Sequence, residues 1–167
     1  MTDRRQFLSI AAIGTAAAAF FGWRTTTPAL AREAFAFQLS DAEWRKKLSP
    51  SAYRTLRHEA TEYPYTSALL DEHRHGVFSC AGCGLALYSS ATKFESGTGW
   101  PSFWKPLANA VRTRTDSSFG FTRTEVHCRR CGGHLGHVFE DGPPPTGLRY
   151  CMNGVAMTFA PAAKAKG

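Results

Sequence analysis

The stretch that decides how this chain folds is Cys128-Arg129-Arg130-Cys131-Gly132-Gly133-His134-Leu135-Gly136-His137-Val138-Phe139. It joins a CxxC turn to two histidines three apart. A second turn, Cys80-Ala81-Gly82-Cys83, lies upstream, and glycine follows each directly, as Gly84 and Gly132. A CxxC turn presents both sulfurs to one point, and the glycines let the backbone fold tightly behind them. Two such turns supply four thiolates, the closed tetrahedral set of a structural zinc. The 44 residues between them, 84–127, exceed the spacing of compact zinc modules, so a sheet must bring the turns together. Metal binding would then clip distant segments and contribute to folding. Two other uses of these cysteines stay open: a redox pair, though no thioredoxin-like βαβ pattern accompanies it, and two disulfides.

Outward from these turns the chain reads as mainly β. Short apolar or alternating runs stand at Val77-Phe78, Ala86-Leu87-Tyr88, Ala110-Val111, Phe119-Gly120-Phe121 and residues 155–159. Turn clusters such as Gly97-Thr98-Gly99-Trp100-Pro101, Asp116-Ser117-Ser118 and Asp141-Gly142-Pro143-Pro144-Pro145 separate them, the rhythm of antiparallel strands with long loops. Two helices precede this part. Ser40 and Glu43 form a capping box ahead of Trp44 and Leu48, and Pro50 starts a second helix through Tyr53, Leu56 and Arg57 that ends by Pro64. The tail, residues 160–167, reads as frayed. No period of 20–50 residues repeats, which excludes a solenoid. The 167 residues, 43% hydrophobic and 13% aromatic, make one domain of ordinary size and exclude a disordered polymer. Five cysteines are too sparse for a disulfide-stapled miniprotein.

The first thirty-one residues read as an address. Residues 6–23 carry no charge, Arg4-Arg5 with Phe7 and Leu8 stand ahead of them, and Ala29-Leu30-Ala31 closes the segment as a small-x-small cleavage site. The arginine pair resembles a twin-arginine secretion signal. The expected organisation is a signal peptide over 1–31 and a domain over 32–167, exported to the periplasm by the twin-arginine machinery. An uncleaved membrane anchor is the alternative, since 18 residues lie at the lower edge of a bilayer span. Removing the signal leaves 17 basic and 12 acidic side chains, which weakens any argument from charge for nucleic-acid binding.

Cys151, in Arg149-Tyr150-Cys151-Met152-Asn153, belongs to neither CxxC pair. A buried, inert thiol is one reading. An exported protein with an unpaired cysteine suggests the other, a thiol that reacts, and Arg149 two positions away would stabilise its thiolate. His134 and His137 could be acid–base catalysts, structural histidines or extra metal ligands. His58, His73, His75 and His127 read as surface or structural. Trp100, on a turn framed by glycine, is either a core residue or an aromatic wall for a small sulfur-bearing ligand.

As a set these motifs (CxxC, KFESGTGWPSF, CxxC, GGHLGHVF, GLRYCMN) resemble the B-type peptide methionine-sulfoxide reductases over roughly residues 39–159. That resemblance implies two antiparallel sheets with a short N-terminal helical segment and one structural zinc per chain on Cys80, Cys83, Cys128 and Cys131. It implies Cys151 as nucleophile, His134 and His137 near the sulfoxide oxygen, Arg149 and Asn153 flanking the nucleophile, and Trp100 with Phe139 lining the substrate's methyl group. The implied substrate is the R epimer of methionine sulfoxide in proteins or peptides, handled by a monomer without nucleic acid.

The chain departs from many relatives at Thr98, where they carry a resolving cysteine, so a small thiol or a thioredoxin-like protein is the expected reductant. A second departure is Gly154, where serine is usual. Two rival functions read parts of the sequence: a zinc-ribbon module using Arg112, Arg114, Arg123, Arg129 and Arg130 on nucleic acid, and a thiol–disulfide exchanger using a CxxC pair.

Overall fold

The computed structural model describes residues 34–118 and 120–163. The expected signal at 1–31, Phe119 and the last four residues lie outside the described residues.

Both expected helices form, and their caps explain where they start. In α1 (Asp41–Lys47) the Ser40 hydroxyl accepts from the Glu43 N–H at 3.4 Å while the Glu43 carboxylate accepts from the Ser40 N–H at 2.8 Å, which satisfies two orphan donors reciprocally. In α2 (Pro50–His58) Ser49 accepts from the Ala52 N–H and Pro50 occupies the first turn, where its missing N–H costs nothing. This helix ends well before Pro64. Glu59 takes a left-handed conformation, φ 57°, and its N–H closes the last turn on Arg54 and Thr55.

Among the described residues nine strands follow: β1 (Gly76–Cys80), β2 (Ala86–Ser89), β3 (Lys93–Phe94), β4 (Ser102–Phe103), β5 (Val111–Asp116), β6 (Arg123–Cys128), β7 (His134–Phe139), β8 (Arg149–Met152) and β9 (Met157–Pro161). They build the expected pair of antiparallel sheets, one ordered β2-β1-β9 and the other β3-β4-β8-β7-β6-β5. The expected strand over 155–159 begins only at Met157, because residues 154–156 form a 3-10 turn. The tail is paired further than expected, with Ala160 opposite Val77 and Pro161 opposite Gly76. Gly120 and Phe121 lie in the β5–β6 loop rather than in a strand.

The core lies between the sheets. Tyr88 stacks on Phe103 with ring centres 4.3 Å apart, Phe78 meets Phe103 edge-on, and Leu87, Leu135 and Met152 complete the contact, all fully buried. Each of these side chains contributes about 1.5–3 kcal/mol by leaving water. α2 packs on β7 and on the 154–156 turn. Its Leu56 fills the space that a side chain at Gly133 would need, and at Gly82 Trp44 of α1 comes closest with Leu56 in ordinary contact, so both CxxC turns lie against the helical segment.

Candidate active site

The two CxxC turns meet. Each is closed by a glycine N–H returning to the first cysteine's carbonyl, Gly84 to Cys80 and Gly132 to Cys128, both at 2.8 Å. The four Sγ atoms lie within 4.8 Å of one another, with Cys80 to Cys131 at 3.7 Å and Cys83 to Cys128 at 3.5 Å. Four thiolates at about 2.3 Å from a tetrahedral zinc would be about 3.8 Å apart, so the cluster has the dimensions to hold such an ion. The thiols also share protons unevenly. Hydrogen bonds among them lower Cys83 and Cys128 and raise Cys80 and Cys131.

Cys151 sits elsewhere, on β8, half-buried and opposite Ser102 of β4 and His137 of β7. Directly opposed residues of antiparallel strands share a face, which places its sulfur and the imidazole side by side. Gly136 makes that approach possible: a Cβ there would run into the Cys151 carbonyl and lie 2.9 Å from the Met152 methyl. On the other side the Thr98 hydroxyl is 3.9 Å from Sγ. Ser96 connects it onward, at 2.8 Å from Thr98 and 2.7 Å from Ser102. Burial raises the Cys151 thiol, and the bond to Thr98 and the charge of Arg149 offset this only in part. At neutral pH this thiol keeps its proton.

A cavity of about 130 Å³ opens over this sulfur, lined by Thr61, Trp100, Arg123, Gly136, His137, Phe139, Cys151 and Asn153. The fold therefore brings five of the sequence-derived residues, Cys151, Trp100, His137, Phe139 and Asn153, around one space. It does not bring His134 and Arg149 to the lining. The His134 ring meets His137 edge-on, 5.3 Å away, and its Nδ1 lies 2.7 Å from the Glu125 carboxylate. Arg149 holds the Asp141 carboxylate with two bonds of 2.9 and 2.8 Å and lies 4.5 Å over the Phe139 ring. Its charge reaches Cys151 from there.

His137 Nε2 lies 2.8 Å from the Asp116 carboxylate. Asp116 itself is held ionised by bonds from Ser118 first, then from His137 and Arg123. A carboxylate only accepts, so Nε2 carries the proton and Nδ1 is left to act. Burial lowers the His137 imidazole more than Asp116 raises it. Burial raises the Glu125 carboxyl, and its bonds to His134 and Arg114 more than offset that, so it too is ionised.

Several of these residues carried no signal in the sequence. Thr61, Asp116, Glu125 and Asp141 are ordinary polar residues in loops or strands. Only the alternation Arg123, Glu125, His127, which puts three ionisable groups on one side of β6, could have drawn attention to Glu125. The arginines grouped as a basic cluster have internal partners in part: Arg114 pairs with Glu59 and Glu125, and Arg123 pairs with Asp116 and lies 5.3 Å over Phe121. His127 is buried against Phe35, and His58 meets Tyr53.

Comparison with known proteins bears directly on this arrangement. The SelR domain family matches residues 48–161. The peptide methionine sulfoxide reductase MsrB of Thiobacillus denitrificans is 56% identical over 123 residues, 73% of this chain and 93% of the relative. The chain belongs to the B-type methionine sulfoxide reductases. The MsrB proteins of Leptospira interrogans and Methanosarcina barkeri are 53% and 52% identical, covering 72% and 74% of this chain and 92% and 88% of theirs. The match takes in α2, all nine strands, the four-cysteine cluster and every residue lining the cavity.

Proposed function

We propose that this protein is a peptide-methionine (R)-S-oxide reductase that uses Cys151 as nucleophile. One observation carries the reading: Cys151, the imidazole opposite it and an indole converge on a cavity sized for one side-chain end, apart from the other four cysteines. The sulfoxide's methyl group packs against Trp100, since sulfur and its substituents pack well on aromatic faces. A chiral sulfur placed this way offers its oxygen to one side only, which makes the enzyme selective for one epimer.

The proton economy follows from the neighbours. Neutral His137 takes the Cys151 thiol proton through Nδ1 as Sγ attacks the sulfoxide sulfur, and returns it to the sulfoxide oxygen. The sulfoxide S–O bond and the transient Sγ–S bond then break as the hydroxyl passes to Sγ, so that the sulfoxide becomes a thioether, Cys151 becomes a sulfenic acid, and two electrons have moved from the Cys151 sulfur to the substrate sulfur. Arg149 stabilises the developing thiolate while tied to Asp141. His134, fixed by Glu125, holds the His137 ring in place.

Thr98 stands 3.9 Å from the sulfur and cannot form a disulfide. An external thiol, small or on a thioredoxin-like protein, therefore condenses with the sulfenic acid to a mixed disulfide and water, and a second thiol releases Cys151. Cys80, Cys83, Cys128 and Cys131 would hold a structural zinc, and with all four ligands supplied by the protein it would stabilise the fold and offer no position to substrate. Arg4-Arg5 and Ala29-Leu30-Ala31 support export to the periplasm by the twin-arginine route and repair of oxidised proteins there. That route carries folded proteins, so zinc loaded in the cytoplasm would cross with its thiols protected. Export unchanged by replacing Arg4 and Arg5 with lysine would contradict it.

The functional test is chiral. Both epimers of a methionine-sulfoxide peptide are offered with a dithiol to the protein and to Cys151→Ser. The R peptide alone is turned over, and only by the unsubstituted protein; equal turnover by Cys151→Ser would refute the reading.

A further inference from the structure

Between α2 and β1 the chain runs irregularly, and one residue in that run touches three parts of the site at once. The Glu62 carbonyl accepts from the Trp100 indole N–H at 3.1 Å. Its N–H donates to Asn153 Oδ1 at 2.9 Å. Its carboxylate accepts from the Gly154 N–H and, at 3.1 Å, from the Val155 N–H. Asn153 continues the chain of bonds, because its Nδ2 and its own N–H both donate to the Leu135 carbonyl, at 3.1 and 2.8 Å, between the two histidines of β7. Glu62 lines nothing itself, yet it is bonded to the cavity's aromatic wall and to the segment that follows the nucleophile.

We infer that Glu62 is a positioning residue that ties Trp100 to residues 153–155, and so sets the gap between the indole and the Cys151 sulfur in which the sulfoxide must fit. This rests on the reductase reading above. The wall needs such a tie. Trp100 stands on a turn that meets the rest of the molecule through the same run, since the Tyr65 N–H donates to the Gly99 carbonyl at 2.7 Å and the Tyr65 hydroxyl to the Gly97 carbonyl at 2.7 Å. A carboxylate is the side chain suited to the other end. It presents two acceptor oxygens to two successive N–H groups, whereas glutamine offers one acceptor and places an NH₂ against an N–H.

A misplaced wall alters how substrate fits rather than how reactive the sulfur is, and that distinguishes positioning from mere support. Glu62→Ala and Glu62→Gln are compared with the unsubstituted protein for KM, kcat, selectivity between epimers, Cys151 alkylation by iodoacetamide, and acrylamide quenching of the fluorescence lost in Trp100→Phe. The account predicts a rise of about tenfold or more in KM for the R peptide, the scale of losing hydrogen bonds to a charged group. It also predicts weaker discrimination against the S peptide and greater quenching of Trp100, with the alkylation rate within about twofold of the original. KM and quenching unchanged in both variants, or kcat falling in step with alkylation while KM holds, would overturn it. Should the alanine variant not fold, the glutamine variant decides. If the unsubstituted protein reduces neither epimer, the functional reading fails by itself, and Trp100 quenching still decides the tie.

Discussion

The sulfurs of four cysteines of this chain crowd within 4.8 Å of one another, while the fifth stands on β8, 3.9 Å from a threonine hydroxyl. The first group meets at the ends of strands under Leu56 of α2, where each sulfur's surroundings are other sulfurs and closed glycine turns. The single sulfur faces a cavity and an imidazole, and the Arg149 guanidinium is near enough to lower its thiol. The same functional group therefore stands in two settings: four thiols close enough to share one cation, and a single thiol that burial raises against the opposing pull of Thr98 and Arg149. On the proposed mechanism, position in the sheets, and not residue type, decides which sulfur reacts.

The largest effect that would sharpen this contrast is loss of the cluster. Stripping metal with a chelator, or replacing Cys128 with serine, is expected to remove cooperative unfolding near room temperature, because structural zinc binding contributes on the order of 10 kcal/mol to small domains. Thermal melting followed by circular dichroism checks this. The same treatment of Cys151→Ser should reproduce the parent's behaviour, since that serine leaves the cluster intact.

A middle-sized effect concerns Gly154, one of the two departures noted in the sequence. A Cβ at this position would run into the Ser67 hydroxyl, and Ser67 is itself buried. Gly154→Ala should cost about 1–3 kcal/mol by overpacking, and the added change Ser67→Gly should recover part of it. Denaturant titration of both single variants and the double variant measures the coupling. Additive losses would show that the two residues do not compete for the same space.

The fold was legible in the sequence where local rules act alone. Ser40 with Glu43, and Pro50, predict their helix starts, and the CxxC turns fold as tightly as their glycines allow, each closed by a glycine N–H. The site-bearing strands were less legible as strands. β6 and β7 are buried along most of their length, with His127, His134, Gly136 and Glu125 inside, so apolar–polar alternation is absent. Of the site, Cys151, Trp100, His137, Phe139 and Asn153 could be named because their motifs are dense. Glu62 could not, because its role consists of bonds to residues about 40 and 90 positions away, which no local pattern encodes.

The smallest predicted effect separates Arg149 from the burial that opposes it. Burial raises the Cys151 thiol and the guanidinium lowers it. Removing the cation in Arg149→Leu should therefore move the midpoint of iodoacetamide alkylation to higher pH, a shift kept small because Asp141 already shares the charge. A midpoint that stayed in place or fell would mean that Arg149 supports the loop and not the thiolate.

The contrast between the two sulfur settings is tested most directly in a single turnover without reductant. The zinc-loaded protein is mixed with one equivalent of the R-sulfoxide peptide, quenched, and its cysteines mapped by mass spectrometry with a sulfenic-acid trap while zinc release is followed by a chromogenic chelator. The account predicts one trapped oxygen, on Cys151 alone, with the other four thiols unmodified and zinc retained. A disulfide joining Cys151 to any cysteine of the cluster, with zinc released, would contradict it.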